Sequence, residues 1–174
     1  MSGTLITVAP AAGPIGALLR TAIDAEQVGA GRLHLAADQP DLPLALSALR
    51  EQTDLVLTCE VRLPGADAIS SGFVDAVVDD DPDLPALVVE VARLVAAHPA
   101  GVAVHGRGDA ALPVLLATLA AGGHLHVAAP EVLPAAGRGG RDHVALVARA
   151  SGLARIAGRP PLPPTAARSL LGLS

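Results

Sequence analysis

The sequence predicts one α/β domain over residues 1–174, built on a parallel sheet of about six strand–helix units with the helices outside. Three observations carry this. Short runs rich in Val, Ile and Leu alternate with longer runs whose leucines repeat at helical spacing. Glycine, proline or acidic residues separate the two kinds of run almost every time. Finally, 51% of the chain is hydrophobic, enough at this length for a sizeable core.

Leu5 to Pro10 reads as a buried first strand closed by proline, followed by an Ala-rich helix from Ile15 to Gln27 that Gly29 and Gly31 end. Leu33 to Ala36 is the second strand. Asp38 to Asp41 turns into a helix carrying Leu44, Leu46 and Leu49, and Asp54 to Glu60 is the third strand. A loop with Gly-Ala-Asp and Ser-Ser-Gly leads to a fourth strand, Phe73 to Val78, and an acidic run from Asp79 to Asp83 opens the helix Leu84–His98. Val102 to Val104 is a fifth strand, stopped at His105-Gly106-Arg107-Gly108. Asp109 is expected as an N-cap, and Leu112, Leu115, Leu116 and Leu119 form one apolar stripe. Gly122-Gly123 stops that helix and Leu125 to Ala129 is the sixth strand. A helical tail occupies 142–174: a helix at His143–Ile156, the proline cluster Arg159–Pro164 as a spacer, and a short docking helix from Thr165.

Composition narrows the function. The formal net charge is −5, and one Phe with no Trp or Tyr leaves no stacking platform, so nucleic-acid binding is not expected. Mean hydropathy is high at +0.50, yet the longest apolar runs are short or broken by Glu90 and Arg93, so no membrane span is expected. No basic residue precedes the apolar run from Leu5, which two prolines interrupt, so no signal peptide is expected. Cys59 is the single cysteine, which fits a reducing, cytoplasmic setting. Six strands that stay open leave two edges, and a second copy of the chain is the expected cover.

In parallel α/β folds the C-terminal strand ends carry the chemistry. The polar residues placed there are His34, Glu60, His105, Arg107, His126 and Glu131. Glu60 is a candidate base, the alternative being a strand-end cap. His105 with Arg107 could hold a carboxylate or phosphate, the alternative being a surface turn. Gly106 and Gly108 lack the third glycine of a dinucleotide fingerprint, and the acidic run lacks a calcium loop's spacing.

Several pieces stand in register with a known family. Gly106-Arg107-Gly108, Leu112-Pro113 and Gly122-Gly123-His124 follow one another without a gap; Gly29 to Leu35 and Pro163 to Arg168 add the two ends. In these the chain resembles the β-keto acid cleavage enzymes, the family that includes the 3-keto-5-aminohexanoate cleavage enzyme. The resemblance extends the parallel sheet to a (β/α) barrel-like, TIM-barrel-derived fold, and a complete barrel of that kind takes about 250 residues. Six units in 174 residues imply that the fourth and fifth are missing.

The resemblance also implies metal-dependent carbon–carbon cleavage of a β-keto acid with acetyl-CoA as second substrate. The metal is usually zinc, held by two histidines two apart on the second strand and a glutamate of the last strand. Here His34 matches the first histidine, but Ala36 takes the second position, Pro130 the glutamate's, and His126 that of an arginine. A rebuilt set of His34, His126 and Glu131 would supply two nitrogens and one oxygen, with Glu60 or Glu131 as catalytic carboxylate. The alternative is that both histidines are interior residues satisfied by hydrogen bonds, in a relative that has lost catalysis and acts in binding or assembly.

Overall fold

The computed structural model describes residues 3–59, 66–67, 72–78, 83–128 and 141–173. Six strands alternate with helices: β1 Ile6–Ala9, α1 Ile15–Gln27, β2 Arg32–Leu35, α2 Leu42–Gln52, β3 Val56–Cys59, β4 Val74–Val78, α3 Leu84–Ala97, β5 Val102–Gly106, α4 Ala111–Ala121, β6 His124–Ala128, α5 Arg141–Ile156 and α6 Pro164–Leu170. All pairings are parallel, in the order β3-β2-β1-β6-β5-β4. Joined at its ends, that order would be a barrel running 1 to 6. Among the described residues β3 and β4 do not pair, so the barrel is open at one seam, where the chain passes from β3 to β4.

The sheet is strongly curled. In a flat sheet, strands β2 and β4, with three strands between them, would lie about 19 Å apart at the usual spacing of about 4.8 Å. Arg32 on β2 nonetheless bonds Asp75 on β4 at 2.9 Å, so the two walls face each other across the interior.

Alternation assigns the two faces. Ile6, Val8, Leu33, Leu35, Leu57, Leu125 and Val127 point outward into one core beneath α1, α2 and α5. Val78, Val102 and Val104 point outward into a second beneath α3 and α4. The inward face is layered. At the N-terminal end Leu5, Val56, Phe73 and Ala103 meet Leu162, Ala167 and Leu171, so the tail plugs the bottom of the barrel. Each such buried leucine contributes about 2 kcal/mol.

The tail does more than space a docking helix. Thr4 N–H donates to Pro160 O at 3.0 Å and Leu162 N–H to Thr4 O at 2.9 Å, a parallel bridge just before β1. Arg159 caps the C-terminal end of α4, donating to Gly123 O at 2.5 Å and Gly122 O at 2.7 Å, where a cation suits the helix dipole.

Two local expectations change. Asp109 does not cap α4: Gly108 at φ 55 starts a 3₁₀ turn, Gly108–Ala110, that draws Asp109 inside it and leaves Ala110 as the cap, with no side-chain bond. The acidic run before α3 contributes Asp83, whose carboxylate accepts from Ala86 N–H at 3.4 Å; Asp79 to Pro82 lie outside the described residues.

Candidate functional site

Above the plug, the inward face turns polar. The middle layer holds Thr7 from β1, Arg32 from β2, Thr58 from β3 and Asp75 from β4; the upper layer holds His34, His105 and His126. In register Thr7 lies beside both Arg32 and His126, and His34 beside Thr58.

Arg32 organises this layer. Its side chain is only 1% exposed. The guanidinium grips Asp75 with two nitrogens, at 2.9 and 2.5 Å, and its Nε–H donates to Thr58 Oγ1 at 2.9 Å. Phe73 lies beneath, its ring centroid 5.7 Å from the guanidinium carbon. Asp75 Oδ1 also accepts from His126 Nδ1 at 3.2 Å. Burial pushes the Asp75 pKa up, but the bonds and charges of His126 and Arg32 outweigh it and hold the carboxyl well below its usual range. Asp75 therefore stays ionised through the neutral range.

The three upper histidines are one group. His34 and His126 stand edge to face with centroids 5.9 Å apart, and His105 and His126 are 5.6 Å apart. His34 Nδ1 lies 3.0 Å from Thr58 Oγ1 and 3.4 Å from Arg32, and His105 Nδ1 lies 3.4 Å from His126 O. The Thr7 hydroxyl is fully buried, with no hydrogen-bond partner among the described residues. Below them His124 is a different case. Its Nδ1 accepts Leu5 N–H at 2.9 Å, and its ring lies against Phe73. Burial, together with the charge of Arg159, lowers its pKa to about 4.

His34, His105 and His126, each read from the sequence as a strand-end residue, thus converge on one mouth. Arg107 is exposed on the turn after β5. Glu60 and Glu131 lie outside the described residues, directly after β3 and shortly after β6 in the chain. Arg32, Thr58 and Asp75 were not singled out from the sequence. The signal for two of them was present: Arg32 sits two residues before His34 and so shares its face, and Asp75 is a lone charge inside an apolar strand.

The described residues do not fit a resident divalent ion. No three His, Cys, Asp or Glu side chains among them form a donor group. The interior carboxylate, Asp75, is occupied by Arg32 and His126, and an ion bound by His34 would sit beside a buried guanidinium. An apolar groove of about 460 Å³ between α4 and α5, lined by Leu112, Leu115, Leu146, Leu153 and Ile156, lies on the outer face. It offers one charged group, Arg149, and is not where this chemistry is.

The model of the β-keto acid cleavage enzyme family matches residues 69–173. Among solved structures, (S)-3-O-geranylgeranylglyceryl phosphate synthase from Thermoplasma acidophilum, in complex with substrate sn-glycerol-1-phosphate, is similar at a TM-score of 0.54. The two are 13% identical over 85% of this chain and 93% of that one, a likeness of fold alone. The SpoU methyltransferase AviRb from Streptomyces viridochromogenes gives a TM-score of 0.40 at 17% identity, over 91% of this chain and 62% of that one, too low to argue from. No curated protein sequence matches the chain.

Proposed function

This chain belongs to the β-keto acid cleavage enzyme family, and we propose that its mouth binds a small β-keto acid without the family's metal-dependent cleavage in its usual form. The observation that carries this is the Arg32–Asp75–His126 chain of bonds. It places a fixed buried cation and its counter-ion beside His34, in the interior that the resemblance reserves for a metal. Ala36 and Pro130, at two of the three ligand positions, support the same reading. His105 and Arg107 remain the proposed carboxylate contacts, and the protein is expected to work in the cytoplasm as a homo-oligomer.

One observation favours a second reading. A carboxylate bonded to His126 Nδ1 is also how metal-bound histidines are commonly oriented. In that reading His34, His126 and Glu131 hold zinc, Glu60 or Glu131 is the catalytic carboxylate, and acetyl-CoA is the second substrate.

Calorimetry with acetoacetate, in buffer with and without chelator, separates the two when paired with elemental analysis of protein purified without chelator. Chelator-independent binding and a metal-free protein are expected. Stoichiometric metal that His34→Ala and Glu131→Ala both lose, with acetyl-CoA-dependent cleavage, would overturn the proposal. A metal-free protein that binds no β-keto acid would leave only a binding or assembly role of another kind.

A further inference from the structure

We infer that the barrel interior holds His34 and His126 in opposite tautomers, making them a metal-free acid–base pair for the keto–enol proton transfer of a β-keto acid. The substrate half of this inference rests on the function proposed above; the tautomers rest on the hydrogen-bond geometry and the charge of Asp75.

His34 is fixed by what surrounds its Nδ1. Arg32 has only donors, and its terminal nitrogen lies 3.4 Å from that atom. The Thr58 hydroxyl lies 3.0 Å from it and already accepts Arg32 Nε–H at 2.9 Å. Its own proton can go to Leu33 O at 3.4 Å or to His34 Nδ1 at 3.0 Å, and the shorter path wins. With donors directed at it, Nδ1 carries the lone pair and Nε2 carries the proton.

His126 faces the reverse. Asp75 is an ionised carboxylate and can only accept, so Nδ1 of His126 carries the proton and Nε2 the lone pair. Two rings 5.9 Å apart therefore present a donor on one side and a base on the other. Two lone pairs aimed at a shared ion would be needed for a metal, and only one is offered.

A β-keto acid matches this pair. Nε2 of His126 takes a proton from C2, between the two carbonyls; the C2–H electron pair becomes the C2–C3 π bond, the C3–O π pair moves onto the ketone oxygen, and that oxygen takes the proton of His34 Nε2–H, which leaves His126 as an imidazolium against Asp75 and His34 as an imidazolate against Arg32. Returning both protons restores the keto form, so nothing else is consumed. His126 and His34 would be the catalytic residues, and Asp75, acting through His126, a positioning residue.

Long-range proton–nitrogen correlation spectra of the ¹⁵N-labelled protein read each tautomer directly, with His34→Gln and His126→Gln assigning the signals. The expected pattern is unprotonated Nδ1 in His34, unprotonated Nε2 in His126, and no change in either on adding Zn²⁺. The protein should also speed deuterium uptake at C2 of 2-methylacetoacetate over buffer by on the order of a hundredfold. His126→Gln should abolish this, and Asp75→Asn should lower it while releasing the His126 tautomer. Identical tautomers, or Zn²⁺ capturing Nε2 of both rings, would overturn the pair even if acetoacetate binds. Opposite tautomers in a protein that binds no β-keto acid would uphold the paired rings and refute the substrate.

Discussion

Acid should destabilise this fold through His124, and the structure sets the size of the effect. The ring is buried, accepts the Leu5 N–H through Nδ1 and lies near Arg159, so its folded pKa falls from 6.5 to about 4. The direction of linkage follows. Above pH 6.5 the histidine is neutral both folded and unfolded and affects nothing. As pH falls below 6.5 the unfolded chain takes up the proton first, so stability drains until about pH 4, where the folded ring protonates too. A gap of roughly 2.5 pH units at about 1.4 kcal/mol each gives a full loss of about 3.5 kcal/mol, and about 2.5 kcal/mol by pH 4.5. Urea melts at pH 7 and pH 4.5 measure it, with His124→Gln as the control, because a glutamine cannot titrate. The wild type should lose about 2.5 kcal/mol more than the variant between the two pH values. Equal losses, or an NMR titration placing His124 near 6.5, would refute the reasoning.

Gly106→Ala should destabilise by about 3 kcal/mol by chemical melt, because a new Cβ would lie 2.8 Å from Val114 Cβ and 2.9 Å from Ala110 O and Ala111 Cα, mostly atoms that cannot move aside. Arg32→Met should cost about 2 kcal/mol by removing the paired bonds to Asp75, which is part-exposed and keeps His126, and adding Asp75→Asn should restore part of it; no recovery would mean the two do not act as a pair. The chain should self-associate, since Val77 on the open edge of β4 is 53% exposed and Val89 on α3 is 68% exposed. Sedimentation should show a dimer or larger at micromolar concentration, lost in Val89→Glu, and a wild-type monomer there would contradict it.

What the sequence made legible was what is local. Each strand was marked by its own short apolar run bounded by glycine, proline or an acidic residue, so all six were found with boundaries within about two residues. The helix carrying Leu112, Leu115 and Leu119 was equally plain. The inward position of His34 and His126 followed from alternation. Asp75 was missed because its meaning is not local. It is a half-exposed charge on an edge strand until curling brings it to Arg32, 43 residues away in the chain. The Asp109 cap failed for a smaller reason: a sequence reading cannot see that Gly108 takes a positive φ and tightens the next turn.

The polar interior itself bears on whether the mouth is a site or a remnant. Elsewhere this chain builds its core from Ala, Val and Leu, and the bottom of the same barrel is plugged that way by Leu5, Val56, Leu162 and Leu171. An ion pair with its cation buried is a poor substitute for such packing, because desolvating Arg32 offsets much of the attraction. If the upper interior served only to hold the walls together, leucine and valine at positions 32, 58 and 75 would do so at least as well. Instead Arg32 saturates itself on Asp75 and Thr58, Asp75 orients His126, and Thr58 turns to His34. The middle layer thus fixes the angle and proton of two rings in the layer above it. Structural stability does not require that order; a ligand held against those rings does. The arrangement therefore favours a binding mouth over a purely structural relic, and it locates the functional test in His34 and His126 rather than in the open seam.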